Sequence, residues 1–357
     1  MSSATPSPSL ALSSGLAAAL TVCLAVPVAL AADPISFEGK TITMVISSEA
    51  GGGTDASCRL VGNFLSKHLP GQPALIVRNI GAGRGMAALN YVVQQTKPDG
   101  LTVIGGSSSQ VDPLQYRNAN VHYDPAEFKF IGGIGLGGAV VLINRDAEKR
   151  LYDKTAAPVV MGSTSVPQSG MQVALWGVEY LGWNVRWVSG YRGANDVMLA
   201  LERGEVDMTS TQSMSVINRF SRGNFRILNQ TGAIANGKFV ARADFGDAPL
   251  FPQQMTGKLA DKVSQSTFDY WQNRNSTEKW VALGPGTPDA VVKTYRDTFL
   301  RIAQDKDFIA QGEKLSEGFT PQPSADIEFL VQSLAHTPPE AIAFMKALMN
   351  KQGLRVE

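Results

Sequence analysis

The stretch Thr41-Ile-Thr-Met-Val-Ile-Ser-Ser-Glu-Ala-Gly-Gly-Gly-Thr-Asp55 constrains this chain more than any other. An apolar run with strand character ends in three glycines, a threonine and an aspartate. Beyond it Leu60, Val61, Phe64, Leu65 and Leu69 recur at the spacing of one helix face. The pattern predicts strand, glycine loop, helix. A helix leaves its first N–H groups without partners and carries partial positive charge at that end. Glycines let an anion approach such a backbone closely, because no Cβ intervenes. The other role open to this loop is a tight βα turn capped by Thr54 or Asp55.

The N-terminal segment reads as an export leader. Met1 to Ala31 holds no charged side chain, carries an apolar run from Leu16 to Ala32 and ends in Ala29-Leu30-Ala31, a small-x-small cleavage pattern. A cleaved signal peptide over 1–31 and a soluble periplasmic product are expected. Thr21 and Val22 before Cys23 do not suit lipidation. The remainder, about 320 residues, is long enough for two lobes with their own cores. It keeps one cysteine, Cys58, expected to be a buried apolar residue rather than a nucleophile. A net charge of +1 argues against nucleic acid or an anionic membrane surface as partner.

The βα grammar repeats. Ala74–Arg78 reads as a strand leading into the glycine loop Ile80–Gly85 and the helix Met86–Gln94, and Leu101–Gly105 as a strand running into Gly106-Ser-Ser-Ser109. A second series follows Lys154: strand Pro158–Met161 with loop Gly162–Ser165, strand Val185–Val188 with loop Ser189–Gly193, and Gly204–Met208 leading to Thr209–Ser213. Each strand ends in a polar or glycine loop, and in open α/β sheets ligands sit beyond the carboxyl ends of strands.

Catalytic patterns are sparse. Gly133-Ile-Gly-Leu-Gly-Gly138 has dinucleotide-site spacing, but Val140–Ile143 after it reads as a strand where that motif must open a helix. It is read as a flexible crossover between lobes. Gly51-Gly-Gly-Thr54 lacks a P-loop ending, and there is no G-x-S-x-G elbow or H-E-x-x-H. Of three histidines, His68, His122 and His336, none forms a ligand-spaced pair, and His68 is placed to meet the dipole at the end of the first helix. Neither a metal nor a cofactor is expected. The polar groups gathered in loops are neutral donors, which suit reversible binding of a carboxylate. Asp55 is read first as a helix cap, with reception of a ligand ammonium or hydroxyl as the alternative. Arg84 and Arg192 are candidate clamps or solvated groups.

Ala50-Gly-Gly-Gly-Thr-Asp55, Arg78-Asn79 with Gly81-Ala-Gly83, Pro98-Asp-Gly100, Tyr123-Asp-Pro125, Gly162-Ser163, Gly190-Tyr-Arg-Gly193 and Gly204-Glu-Val-Asp207 follow in that order. This ordered set resembles the Bug-type extracytoplasmic solute receptors of tripartite tricarboxylate transporters. The resemblance implies an α/β, two-lobed periplasmic binding-protein fold of type II-like form, with a carboxylate ligand in the cleft between lobes. It also implies large and small multi-span transporter subunits as partners; the receptor itself is expected to be a monomer. Departures fall in the ligand loops: Asn79-Ile-Gly-Ala-Gly-Arg-Gly85 lacks the usual proline and gains Arg84, and Thr211-Gln212 replaces the usual aspartate or asparagine. Lobe I is expected over 32–141 and 252–357, lobe II over 142–251. The expected ligand-binding residues are Gly51, Gly52, Gly53, Thr54, Asp55, Ser107, Ser108, Ser163, Thr164, Tyr191, Gly193 and Thr211. A ligand sensor for a membrane kinase and an exported hydrolase using Ser107–Ser109 are the alternative functions.

Overall fold

Two sheets built on βα units carry the fold. The computed structural model describes residues 1–5, 35–135, 138–164, 169–192 and 194–354. The chain separates into Met1–Pro34 and Ile35–Glu357. Residues 1–5 are exposed and carry no regular element, and the rest of the expected leader lies outside the described residues.

The strands are β1 (Thr41–Ile46), β2 (Ala74–Asn79), β3 (Thr102–Ser107), β4 (Lys129–Gly135), β5 (Val140–Asn144), β6 (Val159–Ser163), β7 (Val185–Ser189), β8 (Met208–Thr211), β9 (Phe225–Gln230), β10 (Ala233–Ala235), β11 (Lys238–Val240), β12 (Lys279–Leu283) and β13 (Thr320–Pro323). The first sheet has the order β13-β4-β12-β3-β1-β2 and the second β7-β6-β8-β5-β9, while β10 and β11 form a separate hairpin. In the first sheet β1 pairs in parallel with β2 and β3, whereas β12 runs antiparallel to both β3 and β4. In the second, β6 pairs in parallel with β7 and β8, and β5 is antiparallel to β8 and β9.

Both mixed sheets are covered on two faces. Ile42, Met44 and Ile46 of β1 pack against Leu60, Val61, Phe64 and Leu65 of the first helix (Gly53–His68), while Val45 faces the opposite core with Leu89 and Val92. The period of two along β1 and the helical period of its successor therefore produce the layering directly. In the second sheet Val141 and Ile143 face a tryptophan-rich core around Trp176 and Trp271, and Val140 and Leu142 face Leu201, Ile217 and Phe220.

The glycine-rich stretch at Gly133–Gly138 corrects one expectation. Its first half, Gly133–Gly135, is the end of strand β4 rather than crossover. The glycines of β4 permit close packing: a Cβ on Gly132 would strike the Phe299 ring, and one on Gly133 would lie 2.6 Å from Ile327. Only the residues between Gly135 and Val140 join the sheets there, and 136–137 are outside the described residues.

Packing also departs from the expected lobe division near the C-terminus. Phe251, Phe268 and Trp271 lie in the second sheet's core, as do Met345, Leu348 and Met349 of the C-terminal helix (Pro339–Lys351). Tyr270, on the same helix as Phe268 (Lys262–Arg274), faces the first sheet's core instead. An apolar face can be read from periodicity, but the core it enters is decided by tertiary packing.

Candidate functional site

Of the expected site residues, the strand directions place every described one at the carboxyl edge of a sheet. On the first sheet, Gly51–Asp55 follow β1, Gly81–Gly85 follow β2, and Ser107 and Ser108 stand at the end of β3. On the second, Ser163 and Thr164 close β6, Tyr191 follows β7, and Thr211 ends β8. Gly193 lies outside the described residues. The two edges are brought together by the crossings. β4 leaves the first edge at Gly135, and β5 enters the second at Val140, whose register partners are Thr211 and Gln230. The crossings are zipped to each other: Thr231 N–H donates to the Ala139 carbonyl (2.8 Å), and Ala139 N–H donates to Thr231 Oγ1 (2.8 Å). A Cβ on Gly138, at φ +84°, would collide with the Gly232 carbonyl, so the backbones meet at contact distance. The chain thus passes between the sheets twice at one place, the position of a hinge in a two-lobed fold. A small cavity of about 20 Å³ beside the hinge is lined by Gln212, Thr231, Trp271 and Asn275.

The first glycine loop is organised by Asp55. Its Oδ2 accepts the Gly51 N–H (2.9 Å); its Oδ1 accepts Arg59 Nε (2.8 Å) and Asn79 Nδ2 (2.8 Å). Asn79 in turn accepts from Arg59 Nη2 and donates to the Ser48 carbonyl. Burial would raise the Asp55 pKa, but the bonds from Arg59, Gly51 and Asn79, with the guanidinium charge, hold it below the usual carboxylate value. The expected helix-cap role is corrected: Gly52 occupies the cap position, and Asp55 lies in the first turn, reaching back to clamp the loop. Asp55 is buried and fully engaged, so it faces the scaffold.

Each glycine of the triplet differs. Gly51 has φ +87°, a left-handed conformation that favours glycine, and its N–H is already held by Asp55. Gly52 has φ −85° and ψ 170°, which any residue can adopt. A Cβ on Gly52 or Gly53 would meet nothing within 4 Å. Neither backbone strain nor packing among the described residues demands glycine at those two positions. The N–H groups of Gly52, Gly53, Thr54 and Asp55 find no acceptor among the described residues, and the first helical bond is made by Ala56 to the Gly52 carbonyl. The loop presents unpaired donors beneath open space.

Gln110, which sequence reasoning missed, ties the first lobe's three loops together. Its Oε1 accepts Ser47 Oγ (3.1 Å), Ser107 N–H (2.7 Å) and Ser107 Oγ (3.2 Å), and its Nε2 donates to the Arg84 carbonyl (2.6 Å). Tyr123 OH anchors its backbone carbonyl at 3.0 Å. A side chain 3% exposed thus sets the spacing of the β1, β2 and β3 loops. Ser107-Ser-Ser-Gln110 is a capping-box sequence, and that signal could have found it. Ser107 also accepts Trp280 Nε1 at its carbonyl (2.8 Å), so its backbone serves the scaffold. Ser108 N–H donates to the Glu278 carbonyl.

In the second lobe Ser163 is buried and engaged within the protein, Thr164 and Tyr191 are half-buried, and Thr211 Oγ1 accepts Ser213 N–H (3.1 Å). Burial, then the Glu205 charge, raises the Tyr191 phenol, keeping it a neutral donor. Arg192 is exposed and paired with Asp196, and Arg84 is exposed with a long 3.4 Å bond to Gln115. Cys58 is buried, and desolvation pushes its thiol up to about 12, in keeping with a packing role. His68 sits in the last turn of the first helix, 3.4 Å from Asp305.

Two sheets whose loop-bearing edges meet across paired crossings define a two-lobed periplasmic binding-protein fold. The crystal structure of a TctC solute binding protein from Polaromonas shares it, with a TM-score of 0.64 and 19% identity, covering 88% of this chain and 100% of that one. By sequence the chain is similar to a UPF0065 protein from Bordetella pertussis, 27% identical over 272 residues (72% of this chain, 75% of the relative). It is also similar to a UPF0065 protein from Agrobacterium vitis, 28% identical over 302 residues (79% and 84%). No family profile matches the chain. The resemblance to Bug-type receptors carried by the motifs thus extends to relatives matched over 72% and 79% of this chain.

Proposed function

We propose that this protein is a periplasmic solute receptor that captures a small organic carboxylate between its lobes and delivers it to a tripartite tricarboxylate-type membrane transporter. One observation carries the reading: Gly52 and Gly53 present unpaired N–H groups under open space at the cleft edge, where neither conformation nor packing calls for glycine. Backbone donors at a helix start hold a carboxylate without a counter-charge. Release remains easy, because neutral donors bind an anion less tenaciously than a buried ion pair would. In this reading Gly52, Gly53 and Thr54 form the anion seat and Gly51 and Asp55 shape it. Ser107, Ser108, Ser163, Thr164, Tyr191, Gly193 and Thr211 complete the closed site.

The lobes are proposed to follow the two sheets, with the C-terminal helix joining the second. Export through cleavage after Ala31, action as a monomer and a receptor rather than enzymatic role belong to the same reading. It is supported by the leader pattern and by the solute-binding character of the Polaromonas neighbour. The experiment is a thermal-shift screen of the 32–357 protein against mono-, di- and tricarboxylates, aromatic acids and amino acids. A carboxylate that binds the folded state raises the melting temperature with concentration. No shift from any acid at millimolar concentration sinks the proposal.

A further inference from the structure

A carboxylate outside the proposed anion seat joins the two lobes. Glu317, on the connection between Leu315 and β13, accepts Ser213 Oγ (2.6 Å) and Ser215 Oγ (3.4 Å) at Oε2, and Ser215 N–H (2.7 Å) at Oε1. Ser213 caps the helix Met214–Ser221 by accepting Val216 N–H (3.3 Å). The carboxylate therefore meets the positive end of that helix, through bonds to an ionised acceptor. The two sides are anchored in different cores. Phe308 and Phe319, which flank Glu317 in sequence, are buried in the first sheet's core, and Ile217 and Phe220 in the second sheet's.

The contact also stands apart from the anion seat. β13 is the end strand of its sheet, and β1 lies four strands away. At about 4.8 Å per strand the separation is about 19 Å, beyond the reach of a small acid held by Gly52. The hinge pairs Ala139 with Thr231, so Glu317 joins the lobes at a place apart from it. A further bond, from Gly237 N–H to Asp326 Oδ1 (2.9 Å), ties the β10–β11 hairpin to the helix Ser324–Ala335 and is independent of Glu317.

We propose that Glu317 is a latch: by bridging to Ser213 and Ser215 it holds the lobes together in the unliganded protein and so sets how much of the population is closed. When only a fraction of molecules is binding-competent, apparent affinity falls by that fraction. Glu317 is then a positioning residue that tunes affinity without touching ligand. The inference rests on the two-lobed architecture and not on which solute is bound.

The test is made without ligand. Spin labels at Lys314→Cys and Arg222→Cys, both exposed and on opposite sides of the latch, report the gap by pulsed electron resonance in a Cys58→Ala background. With Glu317 intact the distance distribution is expected to be short and narrow. Glu317→Ala should lengthen and broaden it at an unchanged melting temperature. Glu317→Gln, which keeps the shape but loses the charge, should fall between them, and Ser213→Ala should reproduce the broadening from the other side. An unchanged distribution in Glu317→Ala overturns the latch, as does broadening in Ser213→Ala that adds in full to that of Glu317→Ala in the double variant. Neither result depends on whether the solute is a carboxylate, so failure here is separable from failure of the receptor reading.

Discussion

Gly52→Val is the sharpest probe of the anion seat, because the structure predicts a large loss of binding with almost no loss of fold. At φ −85° and ψ 170° the backbone is in a region valine favours, and its Cβ would meet no atom within 4 Å. Replacing glycine where the conformation is compatible restricts the unfolded chain, which offsets part of the cost of valine at a helix cap, so stability should fall by no more than about 1 kcal/mol. The isopropyl group, however, would fill the space above the N–H groups of Gly53 and Thr54. Excluding a carboxylate from two such donors forfeits two charge-assisted bonds at about 1.5 kcal/mol each, taking the low end of their range. That is about 3 kcal/mol, or a hundredfold or more in dissociation constant. Calorimetric titration with the acid that gives the largest thermal shift measures it, with circular dichroism to check the fold. Gly51→Ala is the contrasting control: its φ of +87° makes the substitution strained, so it should cost about 1 kcal/mol or more in stability. A Gly52→Val protein that binds its acid as tightly as the parent would show that the loop is a turn and nothing more.

Other outcomes follow from the supporting network. Asp55→Asn should destabilise by about 1.5–3 kcal/mol in chemical unfolding, since the Gly51, Arg59 and Asn79 donors lose a charged acceptor. Because the folded Asp55 pKa is lowered, its contribution is fully present above the ordinary carboxylate value. It disappears as pH falls through the lower folded value, below about 4, so the gap between parent and Asp55→Asn should close there. Gln110→Met should cost about 2 kcal/mol or more by stranding Ser47, Ser107 and the Arg84 carbonyl, and should speed amide exchange in the three loops it ties. Cys58, buried and with its thiol raised, should resist thiol reagents at pH 8 in the native protein and react promptly in denaturant.

The parts of this molecule legible from sequence are those set by short periods and by glycine. β1, the first helix, β2 and β3 follow from alternation and helical spacing because each turns apolar residues into a core at its own period. The loops at the strand ends follow from the same grammar. Gly133–Gly135 reads as crossover in the sequence because glycine is ambiguous: it marks a flexible joint or a site of close approach, and only a neighbour such as Ile327 decides between them. Asp55 was misassigned for a related reason. Thr-Asp after a glycine run suits a helix cap, but the cap position went to Gly52, and the carboxylate was drawn back by Gly51, Arg59 and Asn79, the last of these from another βα unit. Long-range polar partners leave no local periodicity to read.

Gln110 and Glu317 extend that argument from individual residues to the working of the cleft. A receptor of this kind has to keep its donors correctly spaced within a lobe while letting the lobes move against each other. Gln110 serves the first need: it is buried, its partners lie on three loops of one sheet, and its bonds are short. Glu317 is suited to the second, being exposed, with partners in the other lobe and a position at the far end of the sheet. Bonds of the first kind are costly to open, because their polar groups would be stranded away from water. Bonds of the second kind open cheaply, since water replaces each partner. An amide and a carboxylate thus divide between rigid seat and movable joint according to burial and to the donors and acceptors that each environment supplies. Exchanging the environments rather than the residues would exchange the roles: a Gln110→Glu variant should stiffen nothing, since its second oxygen would face the Arg84 carbonyl with no proton to donate. Slower folding or a lower melting temperature in Gln110→Glu than in Glu317→Gln is the expected ranking, and the reverse order would mean that burial is not what separates them.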